Sequence, residues 1–146
     1  MELNFKKAEK SQEILDVFEH NVGAFSDSPD FNWTLKEIKH EVSEGWELFS
    51  VSSDDDIVAA LFYRVDGDSL LTKNTALKMH FQGSGYSHQI KEFYEKVARE
   101  LKLKKIKHYC RIDNFRMYSL NESHGYVKSK EKMEDEKVVE WEKLLK

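Results

Sequence analysis

Apolar residues recur at helical spacing soon after a short strand-like run at 3–7, with Ile14, Leu15, Phe18 and Val22 on one face. A second helix follows. Thr34 caps it, Leu35, Ile38 and Val42 form its apolar face, and Gly45 stops it. Between the two, Ser26-Asp27-Ser28-Pro29-Asp30 holds the only proline and breaks the chain. From Trp46 the period shortens: 46–52 and 57–65 read as strands joined by Ser53-Asp54-Asp55-Asp56, and Asp66-Gly67-Asp68 turns tightly into a strand at 69–75. This is an antiparallel meander. Helical spacing then returns through Tyr86, Ile90, Phe93, Tyr94, Val97 and Leu101, and 105–112 reads as a further strand, closing a β-α-β unit with a right-handed crossover. A short helix from Asn114 ends at Gly125. Two alternating runs around Asp135-Glu136 predict a closing hairpin whose charges face water.

The junction inside the β-α-β unit carries the candidate chemistry, His80-Phe81-Gln82-Gly83-Ser84-Gly85-Tyr86-Ser87. Two glycines one residue apart let the backbone approach a ligand, and the unpaired N–H groups and positive end of the following helix point outward. The expected ligand is a phosphate-bearing cofactor. A Walker loop needs a Lys after its last glycine and a dinucleotide fingerprint needs a third glycine where His88 stands, so neither ATP nor NAD fits.

With 146 residues and 40% hydrophobic content the chain suits one domain, 1–146, with no repeat or linker dividing it. Its net charge of -4 argues against a general polyanion binder, so nucleic acid is not an expected partner. Lys102, Lys104, Lys105 and Lys107 read as a solvated helix end that complements the dipole. The single Cys110 lies mid-strand and reads as a buried, inert thiol. No signal-peptide pattern opens the sequence and no apolar run is long enough to span a bilayer, which points to a cytoplasmic protein without a membrane partner. The Asp54-Asp55-Asp56 run lacks the spaced ligands of a calcium loop. His20, His40, His88 and His124 lack metal-ligand spacing, so no metal is expected.

The order of elements and three short motifs together resemble the GCN5-related N-acetyltransferase (GNAT) family, whose members move an acyl group from acyl-coenzyme A to an amine. The family signature Arg/Gln-x-x-Gly-x-Gly/Ala is matched by His80 to Gly85 at both glycines, with His80 standing where Arg or Gln is usual. Cys110-Arg111-Ile112-Asp113-Asn114 and Gly125-Tyr126 occupy the places of the family's Val-Arg-x-x-Asn and Gly-Phe stretches. The resemblance implies an α+β fold in three α/β/α layers, with a mixed, mostly antiparallel twisted sheet of about seven strands, about four helices and a central parallel unit. It implies that the backbone of Gln82, Gly83, Ser84, Gly85, Tyr86 and Ser87 holds the pyrophosphate of acetyl-CoA, the co-substrate. It also implies that Asn74 and Thr75 pair with the pantetheine arm between splayed fourth and fifth strands. Asn114 would contact the arm or cap the next helix; the two roles can coexist.

The chemistry implied is direct attack of an unprotonated amine on the thioester, with a base taking its proton and an acid protonating the thiolate. Seven residues past Asn114, where many relatives carry a tyrosine acid, stands Asn121. Tyr118, one turn earlier and about 60° around the axis, is the alternative acid. No carboxylate occurs in 70–75, where some relatives carry the base. His108 and Tyr109 are the candidates instead, and alternation sends one of them to the cleft side of the sheet. The implied function is acetyl transfer to a primary amine, either a small molecule or a protein amine. The alternative is a catalytically impaired CoA-binding sensor or interaction domain, and a third reading keeps only the fold. Asp27, Asp30 and Glu44 could attract a cationic acceptor, and the edge of the final hairpin offers a place for homodimer pairing.

Overall fold

The computed structural model describes residues 3–20, 34–53, 56–74, 85–129 and 137–145. Val22, the 26–30 break, Asp54-Asp55, Thr75, His80 to Ser84 and the Asp135-Glu136 turn lie outside the described residues, as does the side chain of His20. The elements in order are β1 (Asn4–Ala8), α1 (Ser11–His20), α2 (Leu35–Ser43), β2 (Glu47–Ser53), β3 (Asp56–Asp66), β4 (Ser69–Asn74), α3 (Tyr86–Glu100), β5 (Lys105–Arg111), α4 (Phe115–Ser123), β6 (Val127–Lys128) and β7 (Val138–Leu144).

The seven strands form one sheet in the order β1-β2-β3-β4-β5-β7-β6. Every pairing is antiparallel except β4 with β5, which is parallel because α3 carries the chain back across the sheet between them. Period-2 alternation splits the apolar residues between two layers. Leu70, Ile106 and Cys110 pack against Ile90, Tyr94 and Ala98 of α3, while Leu48, Phe62 and Leu71 pack against Ile14 and Val17 of α1 and Ile38 of α2. The neighbours Leu70 and Leu71 thus serve opposite layers, as a strand covered on both faces requires.

The caps match the polar punctuation of the sequence. Thr34 Oγ1 accepts from the Glu37 N–H at 3.1 Å, and Asn114 Oδ1 accepts from the Met117 N–H at 3.2 Å. Two expectations are corrected. Leu101 lies past the last turn of α3 and is half exposed rather than on its apolar face. The charges of the final strand do not all face water: β7 lies between β5 and β6, so Glu140 is only 4% exposed.

The feature that positions the site is where β4 and β5 part. Their register runs from Ser69↔Lys105 to Thr72↔His108 and stops. Beyond it Lys73 and Asn74 remain paired with Phe62 and Leu61 of β3, while Tyr109 to Arg111 remain paired with Glu140 to Val138 of β7. The sheet therefore stays continuous on either side of a gap at the carboxyl ends of its two parallel strands.

Candidate functional site

The next described residue after β4 is Gly85, where α3 starts. Gly85 is its N-cap with φ 81° and ψ 3°, a left-handed conformation that side chains resist. The Gly85 carbonyl accepts from the N–H groups of His88 and Gln89 at 3.2 and 3.3 Å. Gly85 offers no side chain to cap the first N–H groups, and the first turn contains no acidic residue. The positive end of the helix dipole there suits an anion. Tyr86 is turned inward, its hydroxyl 2.9 Å from Ser53 Oγ, which fastens the first turn to β2. Ser87 follows, half exposed. Of the residues expected at the cofactor, Asn74, Gly85, Tyr86, Ser87 and Asn114 are described; Thr75, Gln82, Gly83 and Ser84 are not.

The floor of the gap is polar and buried. Thr72 Oγ1 donates to the Lys107 carbonyl at 2.8 Å and lies 2.7 Å from His108 Nδ1. With its one proton on the carbonyl, the hydroxyl accepts from Nδ1–H, and this assignment satisfies both contacts and leaves the His108 Nε2 lone pair free. That nitrogen is buried without a hydrogen-bond partner among the described residues. Burial, and then the charge of Lys91, hold the His108 pKa well below its usual range, so the ring is neutral. Asn74, the last residue of β4, accepts a short hydrogen bond from the Tyr94 hydroxyl, which also reaches the Lys73 carbonyl at 3.0 Å.

Register answers the question the sequence left open about β5. His108 faces the α3 layer, alongside Ile106 and Cys110, and Tyr109 faces the α1/α2 layer. Across from Tyr109 on β7 is Glu140; burial, and then the charge of this carboxylate, raise the Tyr109 pKa. Lys107 Nζ lies 3.6 Å from Glu140 Oε1 and 3.7 Å from Glu142 Oε1. Lys107 thus sits in a charge cluster on the sheet face and not in a solvated helix end.

On α4 the two acid candidates diverge. Asn121 is fully buried, and neither polar atom of its side chain has a hydrogen-bond partner among the described residues. Tyr118 lies at the rim, its hydroxyl donating to the Ile112 carbonyl at 2.8 Å and its ring edge-on to Trp141. Burial, then Cys110 and Asp113, raise its pKa.

Sequence reasoning passed over Thr72, Tyr94, Glu140 and Lys91. Lys91 is 1% exposed, with its ammonium 4.5 Å from the centroid of the Tyr126 ring. Its helical phase with Tyr94 and Ala98 is the signal that would have placed it inside. His88 and His124 join α3 to the end of α4, His88 Nδ1 lying 2.7 Å from His124 Nε2. Among the described residues no group of three or more His, Cys, Asp or Glu could hold a metal ion, and no helix is long and apolar enough to cross a membrane.

No family model and no curated protein matches the sequence. Solved structures do match the fold. The ribosomal-protein-S18-alanine N-acetyltransferase from Escherichia coli superposes with a TM-score of 0.77 over 98% of this chain and 94% of its own, at 13% identity. A putative acetyltransferase of the GNAT family from Desulfovibrio desulfuricans gives 0.74 over 98% and 99%, also at 13% identity. This chain has the GNAT fold. PaiA N-acetyltransferase from Thermoplasma acidophilum, solved in complex with coenzyme A, shares that fold with a TM-score of 0.72 over 99% of this chain and 100% of its own, at 11% identity. In this GNAT fold the parallel pair β4/β5 and the Gly85-capped α3 form the centre expected from the sequence.

Proposed function

We propose that the chain is an acetyl-CoA-dependent N-acetyltransferase acting on a primary amine, a small molecule or a protein amine. The observation that carries this reading is the parting of β4 and β5 after Thr72↔His108, together with a helix start that has no side-chain cap and no carboxylate in its first turn. A gap between parallel strands exposes backbone donors and acceptors to which an extended amide-bearing arm can add as a strand. The start of α3 suits the phosphates at the arm's far end. Bound acetyl-CoA supplies an activated thioester carbonyl.

The amine attacks that carbonyl directly; the C–N bond forms, the C–S bond breaks, and the amine proton has to leave. Tyr109 and Glu140 suit the proton's exit best. As the phenol oxygen takes a proton from nitrogen it passes its own to the carboxylate, so Glu140 ends protonated. His108, neutral and with its pKa held low, orients through Nε2 and is a poor store for a proton. Tyr118, a protonated phenol at the rim, can supply the thiolate's proton after leaving the Ile112 carbonyl, and Asn121 can only donate a hydrogen bond to sulfur.

A second reading, a CoA-binding sensor without turnover, is favoured by Asn121 and by the absence of a carboxylate on β4. The test is release of free thiol from acetyl-CoA in the presence of a panel of primary amines: amino acids, polyamines and peptides with free N-termini or lysines. Amine-dependent release supports the enzyme. Binding of acetyl-CoA with no release from any amine favours the sensor.

A further inference from the structure

Side chains engage the end of β4 where the two strands part. Just past the last β4–β5 pair, the end of β4 is fastened to α3 and not to β5. The Tyr94 hydroxyl, from the middle of α3, donates to the Asn74 side chain and lies 3.0 Å from the Lys73 carbonyl. It thus engages both of the final residues of β4 from one side of the sheet. Tyr94 is fully buried, with its ring 6.1 Å from the His108 ring. On the facing strand the Thr72 hydroxyl takes the Lys107 carbonyl and meets His108 Nδ1, a crosslink at the point of divergence itself. The crosslink marks where pairing ends, and the Tyr94 tether directs the rest of β4 away from β5.

We propose that Tyr94 is a positioning residue: by fastening Lys73 and Asn74 to α3 it keeps the β4–β5 gap open for an extended ligand arm. This rests on the acetyl-CoA reading for the identity of the arm, though not for the tether. A phenol whose pKa burial pushes far up remains a donor at any working pH, so the tether does not titrate away. Without it, the end of β4 keeps its β3 pairing and the Lys73–Glu41 ion pair at 3.1 Å, which ties it to α2 and not to α3.

The test compares Tyr94→Phe, which removes one oxygen and keeps the ring, with Ile90→Val. The latter is an equally buried change on α3 of similar cost to stability that leaves the hydroxyl contacts with Lys73 and Asn74 in place. Two readouts are taken: backbone hydrogen exchange over 69–74 in the free protein, and calorimetric affinity for acetyl-CoA. Tyr94→Phe is expected to speed exchange at the end of β4 and weaken acetyl-CoA binding about tenfold, the worth of one buried hydrogen bond. Ile90→Val should lower the melting temperature and do neither. Wild-type affinity in Tyr94→Phe, or equal weakening in both variants, would overturn the positioning role. If the wild-type protein binds no acetyl-CoA the functional reading fails, and exchange alone decides the tether: unchanged exchange over 69–74 in Tyr94→Phe refutes it.

Discussion

Replacing Gly85 by Ala isolates one physical quantity, because a Cβ added there meets nothing within 4 Å among the described residues. The cost is therefore one of backbone conformation. With φ at 81°, an L-residue pays about 1–2 kcal/mol to hold the left-handed region. For a chain of 146 residues that lowers the melting temperature by about 3–8 °C. The free variant can relax at the helix start, and a ligand that needs the original geometry must restore it. The affinity for acetyl-CoA should then fall by no more than about 5- to 30-fold, the equivalent of the same energy. Thermal melts and calorimetric titrations of wild type, Gly85→Asn and Gly85→Ala measure both. Asn enters the left-handed region more readily than Ala, so the stability order should be Gly, then Asn, then Ala. An Asn variant less stable than the Ala variant would refute the reasoning, since side-chain bulk and not dihedral strain would then set the cost.

Other expectations follow from single contacts. His108 is buried neutral with its pKa well below 6.5, so as pH falls the unfolded chain takes up a proton that the folded chain refuses. Stability from this group is full above about pH 6.5 and declines below it at up to about 1.4 kcal/mol per pH unit; denaturant titrations of His108→Gln from pH 8 to 5 should show that slope reduced by about one proton. Asn114→Ala removes the acceptor for the Met117 N–H at 3.2 Å and should cost about 1 kcal/mol in denaturant unfolding, with no change expected if α4 starts elsewhere. Glu140→Gln should leave the acetyl-CoA dissociation constant near wild type while lowering amine-dependent thiol release by about 100-fold or more, the scale of a lost proton acceptor. Undiminished release would exclude Glu140 from proton transfer.

The β-α-β unit was legible because its signals are local: the β-prone run at 69–75, helical spacing from Tyr86 and a further strand-like run from Lys105 each need only a few neighbouring residues. Thr34 and Asn114 announced their caps for the same reason. The facing of His108 and Tyr109 was not legible, since a strand's faces depend on register with β4 and β7, and a shift of one residue exchanges them. Glu140 and Lys91 were missed because a charged residue reads as solvated unless its strand proves internal or its helical phase proves inward. Tyr94 looked like core packing. Its ring is core, and only the positions of Lys73 and Asn74 reveal what its oxygen does. The Glu140–Tyr109 pair likewise joins residues some thirty positions apart, beyond any spacing motif.

The central claim, that the Gly85-capped helix and the β4–β5 gap together form an acetyl-CoA site, is met most directly by calorimetric titration of the folded protein with acetyl-CoA, using ATP and NAD as controls. The account predicts one site per chain with micromolar affinity for acetyl-CoA and none for ATP or NAD. No binding of acetyl-CoA by a sample shown to be folded, or equal binding of all three, would contradict it.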